Sequence, residues 1–184
     1  MANLIAKANQ SQLAIIDVQT KLCSVMSEAD MQAVTRNCSN LTQAAKMLAI
    51  PMIVTEQYPE GLGNTTPEIA QYIGNVKPIA KTAFSACAAP KFKAQLQRDK
   101  SQIILAGLEA HICVLQTALD LIAQGKQVFV VEDAIISRDA ENKRNAIARL
   151  AGAGCIVTNT ESVLFEWLGN ASHEAFKDVS RLIK

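Results

Sequence analysis

Three side chains with complementary chemistry follow or interrupt apolar runs of the sequence. Asp17 ends the run LAIID, Lys81 lies in the mostly apolar stretch PIAKTAF, and Cys113 follows the run IILAG. A carboxylate at the end of a buried strand needs a partner, and an ammonium group stabilises both a carboxylate and a thiolate. A thiol in the first turn of a helix is a candidate nucleophile, because the helix dipole lowers its pKa.

Each of the three residues also has an ordinary interpretation. A cysteine in an apolar helix usually packs as a small hydrophobic residue. An aspartate at a strand end often caps a helix or bonds a loop, and a single lysine is usually solvated. The residue types alone therefore leave Asp17, Lys81 and Cys113 as candidates for either role.

Five mostly apolar runs predict the strands that position these candidates, and their composition is typical of strands buried on both faces. The runs are LAIIDV at 13–18, MIVTE at 52–56, IILAG at 103–107, VFVVED at 128–133 and CIVTN at 155–159. Helical spacing lies between them, as at 31–50 and 111–125, and one or two helices close the chain. This alternation predicts a doubly wound, mostly parallel sheet in a three-layer α/β/α sandwich.

The predicted topology also says where to look for a site. Ligands of open α/β sheets bind at the carboxyl ends of the strands, which is where Asp17 and Cys113 lie. The longest irregular segment, 56–92, is rich in Gly, Pro, Asn and Thr and contains Lys81. Long loops in compact α/β domains usually carry function.

Length and charge limit the remaining possibilities. A chain of 184 residues predicts a single domain spanning 1–184. The formal net charge of +1, without a long basic run, predicts neither a nucleic-acid partner nor a membrane surface, so the expected partner is a small molecule. The sequence shows no secretory signal and no run of about 18 apolar residues, so a cytoplasmic protein is expected.

Cysteine and histidine usage argues against a disulfide framework, a metal or another cofactor. The five cysteines are scattered and include no C-x-x-C pair, which is typical of a reducing compartment. The two histidines, His111 and His173, are far apart and have no ligand spacing. Neither a G-x-G-x-x-G motif between a strand and a helix nor a P-loop occurs, so no cofactor is expected.

The segments AIIDVQTKL, KTAFSA and AGLEAHICVLQTALDLIAQGKQVFVVEDAIISR, with the spacing between them, resemble the isochorismatase-like cysteine hydrolases. That family includes nicotinamidases and N-carbamoylsarcosine amidohydrolases, and the resemblance covers nearly the whole chain. The segment TEQYPEGLGNTTPE is similar to the branch of isochorismatase domain-containing proteins. The resemblance implies an isochorismatase-like, Rossmann-like fold, a homo-oligomer, and a catalytic triad of Asp17, Lys81 and Cys113.

The resemblance also implies the rest of the catalytic apparatus. It places a cis peptide bond at Leu108–Glu109 and an oxyanion hole at the backbone N–H groups of Glu109 and Cys113. Members that bind a metal carry an aspartate and histidines after the second strand, where this chain has EQYPEGLG. The expected function is metal-independent hydrolysis of a small amide, carbamoyl or related C–N compound through a thioester.

Two other functions stay open. One is ether or ester hydrolysis with Asp17 as the acid and Cys113 in a secondary role. The other is a weakly active interaction scaffold that retains the triad. Substrate contacts are predicted for Gln19, Tyr58 and Phe84, with ordinary loop bonding as the alternative for Gln19 and aromatic packing for the other two.

The residues around the predicted oxyanion hole have open roles. The carboxylate of Glu109 has three interpretations: it points into the pocket, fixes an adjacent backbone group, or binds a partner subunit. His111 is expected to be structural or at an interface. Arg138 is expected to fix the loop after VFVVED through Asp133 or a carbonyl group, with a substrate contact as the alternative.

Overall fold

The computed structural model describes residues 4–184, and within them six strands form one sheet. The strands are β1 (Ser11–Ile16), β2 (Met52–Gln57), β3 (Ile79–Lys81), β4 (Gln102–Leu108), β5 (Gln127–Ile136) and β6 (Ile156–Thr158). Their order across the sheet is β3-β2-β1-β4-β5-β6, and every neighbouring pair is parallel. The predicted doubly wound sheet is confirmed, and it is parallel throughout.

Helices connect the strands, and two more follow the last strand. They are α1 (Thr20–Cys23), α2 (Glu28–Met47), α3 (Pro59–Leu62), α4 (Pro67–Ala70), α5 (Pro90–Gln95), α6 (Leu115–Ala123), α7 (Ala140–Gly152), α8 (Thr160–Leu168) and α9 (Phe176–Arg181). Short 3-10 segments occur at Ala8–Gln10 and Ala86–Ala88, and a π-helical turn, Ala110–Val114, precedes α6. Across residues 4–184, none of these helices combines the length and apolar character needed to cross a bilayer.

Alternate residues of β1 feed two hydrophobic cores, one on each face of the sheet. Leu13 and Ile15 pack in the core that includes α2, α8 and α9. Ala14 and Ile16 pack in the core that includes α5, α6 and α7. Because all six residues of β1 are buried, its sequence has no polar alternation, and the predicted three-layer α/β/α sandwich follows.

The helix predicted at 31–50 is shifted towards the amino terminus. It begins at Glu28, since Glu28 and Asp30 place negative charge in the first turn, where the helix dipole favours it. It ends at Met47, because Ala49 takes a left-handed conformation with φ of 53° before Pro51. The apolar stripe of α2 lies inside these bounds.

The switch point of this topology lies between β1 and β4, since the chain proceeds outward from β1 on one side and from β4 on the other. A crevice at the carboxyl ends of such strands is the usual ligand site. Asp17 follows β1, and the π-helical turn with Cys113 follows β4. Lys81 ends β3, at the edge of the sheet.

Gly107 allows β1 and β4 to approach each other next to Asp17. It pairs with Ile16, and its φ is +119°. A Cβ atom at this position would lie far inside contact distance of the Ile16 carbonyl oxygen. Only glycine combines this backbone conformation with such a close approach.

Replacing Gly107 with alanine is expected to lower the free energy of unfolding by about 2 to 4 kcal/mol. The added methyl group would overpack the contact with Ile16, and alanine would be strained in this backbone conformation. Chemical denaturation measures this change. Gly152→Ala is the matched control, since its Cβ atom would meet no heavy atom within 4 Å. Its stability is expected to change by less than about 1 kcal/mol. Equal effects of the two substitutions would contradict the close approach at Gly107.

Candidate active site

Asp17 and Lys81 form a buried ion pair at the carboxyl edge of the sheet. The Lys81 Nζ lies 2.7 Å from Asp17 Oδ2, and the two side chains are 1 % and 0 % exposed. The ammonium group also donates to the carbonyl oxygens of Ala83 and Phe84 at 3.2 and 3.1 Å. A buried ion pair is stable only when such additional hydrogen bonds satisfy its groups.

Two polar residues of β2 complete this pair. Thr55 Oγ1 donates to Asp17 Oδ1 at 2.7 Å, and Gln57 Oε1 accepts from Lys81 Nζ at 2.7 Å. Thr55 and Gln57 are two residues apart on one strand, so both point to the same face, whereas Glu56 bonds elsewhere. The sequence interpretation missed both residues, although their alternation within an apolar strand is a signal for them.

Cys113 completes the cluster from β4. It lies in the π-helical turn and is 5 % exposed. The charges of both Asp17 and Lys81 act on the pKa of its thiol, so Cys113 lies near the ion pair. The structure therefore brings together three residues that are 64 and 32 positions apart in the chain, and each comes from the end of a different strand.

The thiol is not acidic in this environment. Burial, followed by the negative charge of Asp17, raises the pKa of Cys113 to about 12, and the positive charge of Lys81 opposes this only in part. The expectation that a helix dipole lowers this pKa is wrong: α6 begins beyond Cys113, and desolvation is the larger effect. At neutral pH the site therefore holds a thiol beside a carboxylate, and attack needs a base.

This pKa predicts how alkylation of Cys113 depends on pH. In the wild type, the rate with iodoacetamide is expected to keep rising well above the ordinary thiol pKa of 9.0. Asp17→Asn removes a charge that raises the pKa and keeps Lys81, so the profile is expected to shift to lower pH. Peptide mass spectrometry measures both profiles, with Cys155 as reference because burial alone raises its pKa, to about 11. A wild-type plateau at neutral pH, or an unchanged profile in Asp17→Asn, would contradict the prediction.

The turn between β4 and Cys113 is held by hydrogen bonds to the backbone of Glu109. The Leu108–Glu109 peptide bond is cis. The Glu109 carbonyl oxygen accepts from the N–H groups of Ile112 and Val114 at 3.0 and 3.2 Å. Glu109 thus adjoins the cis bond and anchors the turn that carries the thiol.

The side chain of Glu109 fixes the loop after β5. Its Oε2 accepts from the backbone N–H and the Nε of Arg138, at 3.1 and 3.2 Å. The structure therefore agrees with one of the three interpretations of this carboxylate, namely that it fixes a neighbouring backbone group. The expectation that Arg138 bonds Asp133 or a carbonyl group is wrong, because Arg138 pairs with Glu109 and one Asp133 oxygen accepts from the N–H and hydroxyl of Thr160.

His111 makes a second connection between the same loops. Its Nδ1 lies 2.9 Å from Ser137 Oγ, one residue before Arg138. This contact agrees with a structural role within the chain.

The three predicted substrate contacts lie in different environments. Gln19 is fully buried, and its amide bonds the backbone of Gln57 and Gly63, which is the loop-bonding alternative. Tyr58 and Phe84 are 56 % and 54 % exposed. These two aromatic rings remain available for a ligand, whereas Gln19 is engaged.

A cavity of about 340 Å³ borders Lys81. Its lining comes from the loop after β2, from β3 and from the segment after β3: Tyr58, Pro59, Glu60, Ala80, Lys81, Thr82, Ala83, Ala88, Ala89 and Pro90. A larger groove of about 860 Å³ runs along α1, α2 and α4, but its lining includes none of the three clustered residues. The smaller cavity is adjacent to the cluster through Lys81, whereas Asp17 and Cys113 are not part of its lining. Its volume is typical of a small-molecule site.

The donor set of the cluster is unsuited to a metal ion. Among residues 4–184, no three His, Cys, Asp or Glu side chains converge as ligands. The cation at the cluster is Lys81, whose ammonium group occupies one oxygen of Asp17.

Sheet order and site together describe a Rossmann-like α/β domain with a buried Asp, Lys and Cys cluster at its switch point. Residues 11–162 match the model of the isochorismatase domain, and the chain belongs to the isochorismatase family of hydrolases. Isochorismatase domain-containing protein 2 of Bos taurus is 34% identical over 174 residues, which cover 95% of this chain and 83% of the relative.

Two solved structures illustrate the fold. A protein from Caenorhabditis elegans described as MAR1 ribonuclease has a TM-score of 0.92 and 37% identity, covering 97% of this chain and 92% of that one. YcaC of Escherichia coli, described as an octameric hydrolase of unknown specificity, has a TM-score of 0.87 and 23% identity, covering 100% and 96%. The predicted fold family is thereby confirmed.

Proposed function

We propose that the protein is a metal-independent cysteine hydrolase that cleaves a C–N bond of a small amide, carbamoyl or related compound. The observation that supports this most is the buried Asp17–Lys81 pair, 2.7 Å apart, with Cys113 near enough for both charges to act on its thiol. A nucleophile, a base within reach of its proton and a fixed cation are the parts that covalent acyl transfer requires.

The first half of the reaction uses Asp17 as the base. Because the thiol is protonated at rest, the Asp17 carboxylate accepts its proton as sulfur attacks the carbonyl carbon. Lys81 donates to Asp17, Gln57 and two carbonyl groups, so it keeps its position and compensates negative charge. The carbon–sulfur bond forms and the carbonyl becomes a tetrahedral oxyanion.

In the remaining steps Asp17 first donates the proton that it accepted and then accepts another. Protonated Asp17 gives its proton to the leaving nitrogen as the C–N bond breaks, which leaves a thioester on Cys113. Asp17 then accepts a proton from water, and the hydroxide attacks the thioester carbon. The acid departs, sulfur takes back the proton, and the resting thiol and carboxylate are restored.

The oxyanion is proposed to bind the backbone N–H groups of Glu109 and Cys113. Both groups belong to the turn that closes on the Glu109 carbonyl. Donors fixed in a buried site contribute strongly, since removal of one typically costs roughly 10²- to 10³-fold in rate.

The cavity beside Lys81 supports a small substrate. About 340 Å³ accepts a small molecule, and its lining is mostly alanine, proline and the ring of Tyr58. We include Tyr58 and Phe84 among the proposed substrate contacts. Gln19 is proposed to act indirectly, because it holds the β2 end from which Gln57 reaches Lys81.

A substrate panel tests the proposal. Primary amides and carbamoyl compounds are assayed for ammonia release, beside a vinyl ether and an RNA oligonucleotide, since the C. elegans relative is described as a ribonuclease. Turnover of amides that depends on Cys113 is the expected result. Turnover of the ether alone would favour Asp17 as an acid, and turnover of RNA alone would overturn the proposal.

Two further expectations accompany this proposal. Self-association of identical chains is favoured by exposed apolar side chains, among them Val25, Met47 and Phe165. Light scattering of the purified protein tests it, and a monomer across the concentration range would contradict it. A cytoplasmic location also stays a prediction.

A further inference from the structure

The carboxylate of Glu109 is a buried charge that the proposed reaction does not use. Its side chain is 7 % exposed, whereas that of its partner Arg138 is 59 % exposed. The carboxylate holds both the backbone N–H and the Nε of Arg138. A carboxylate with two donors from one residue is fixed in position as well as neutralised.

The two loops are joined at a second point. Beyond the last ladder pair, Leu108 with Ile136, Glu109 bonds Arg138 and His111 bonds Ser137. Contacts made by side chains thus connect the segments after β4 and β5 beyond the end of the β-ladder, along the turn that leads to Cys113. This arrangement supports a segment that would otherwise depend on its own backbone bonds.

The ion pair also has an electrostatic consequence. The N–H of Glu109 is a proposed oxyanion donor, and the carboxylate of the same residue carries a negative charge. Like charges that lie near each other in a buried site oppose each other. Arg138 compensates the carboxylate, so the oxyanion does not form beside an unpaired negative charge.

We propose that Glu109 and Arg138 form a positioning pair that holds the proposed oxyanion donors in place and neutralises the charge beside them. This inference rests on the proposed function, because it assigns a role within the same site. It predicts that the pair matters for attack on a carbonyl group and matters little for direct alkylation of the thiol.

Two reactions of Cys113 separate these effects. Acylation by p-nitrophenyl acetate forms an oxyanion, whereas alkylation by iodoacetamide forms none. Glu109→Gln keeps an acceptor oxygen and removes the charge, and Arg138→Ala keeps the backbone donor and removes the guanidinium group. Arg144→Ala is the matched control, since Arg144 forms an exposed ion pair with Glu141 on α7.

The expected result is a loss of about tenfold in acylation rate for both variants, with alkylation within about twofold of wild type. Acylation as fast as wild type in both variants would overturn the positioning pair. An equal fall in both reactions would also overturn it. Neither result would overturn the proposed function. A wild type that is alkylated but never acylated at Cys113 would overturn the proposed function itself. Because Arg138 is mostly exposed, Arg138→Ala keeps the test decisive if Glu109→Gln does not fold.

Discussion

Replacing Cys113 with alanine is expected to reduce kcat/KM for the amide substrate by at least about a thousandfold, because the covalent route loses its nucleophile. The fold should persist, since the side chain only loses its sulfur and the rest of the core is unchanged. Steady-state kinetics, with circular dichroism to check folding, measure the effect. Cys155→Ala is the matched control: it is also a buried cysteine with a raised pKa, but it lies before β6, away from the site.

The outcome of this substitution separates the three functions. Covalent catalysis requires that activity falls with Cys113 and survives in Cys155→Ala. Hydrolysis with Asp17 as the acid would leave most of the activity in Cys113→Ala. A scaffold would show no turnover in the wild type.

Replacing Lys81 with methionine is expected to lower the free energy of unfolding by about 3 to 5 kcal/mol, because it leaves the Asp17 charge buried without its cation. Methionine has a similar length, so the loss of volume is small. The Thr55 hydroxyl would remain as a hydrogen-bond donor to the carboxylate. Urea denaturation of the purified variant measures the change.

The double variant Asp17→Asn with Lys81→Met is the control for this prediction. It removes both charges, so it should be more stable than Lys81→Met alone. An additive loss in the double variant would contradict the ion-pair interpretation, because the two residues would then contribute independently. Both variants are expected to lose hydrolysis.

The main features of the fold could be predicted from sequence because five of the six strands found in residues 4–184 coincide with long apolar runs. Strand β3 was missed, since Ile79–Lys81 is a three-residue edge strand that leaves almost no pattern. The short helices α3 and α4 lie in the irregular segment 56–92 and begin at prolines. Local residue types there indicate turns before they indicate helices.

The cluster could be predicted because its three residues follow from topology and the family resemblance. Its partners could not be predicted in the same way. Thr55 faces Asp17 only because β1 and β2 pair with Ile16 opposite Thr55. The Glu109–Arg138 bond joins two loops whose approach depends on the end of the β4–β5 ladder.

The pKa of Cys113 shows a second limit of the sequence interpretation. A helix start indicates a lower thiol pKa, but it gives no measure of burial or of distance to Asp17. Both effects raise the pKa, and together they exceed the effect of Lys81. The direction therefore required the packed structure.

The most direct test of the central claim is mass spectrometry of a rapidly quenched reaction with p-nitrophenyl acetate, followed by peptide mapping. We expect an acetyl group on Cys113 that hydroxylamine removes, and we expect none at that position in Cys113→Ala. Peptides with the other four cysteines serve as references within the same sample. Product formation without an acyl group on Cys113 would contradict covalent catalysis by this residue.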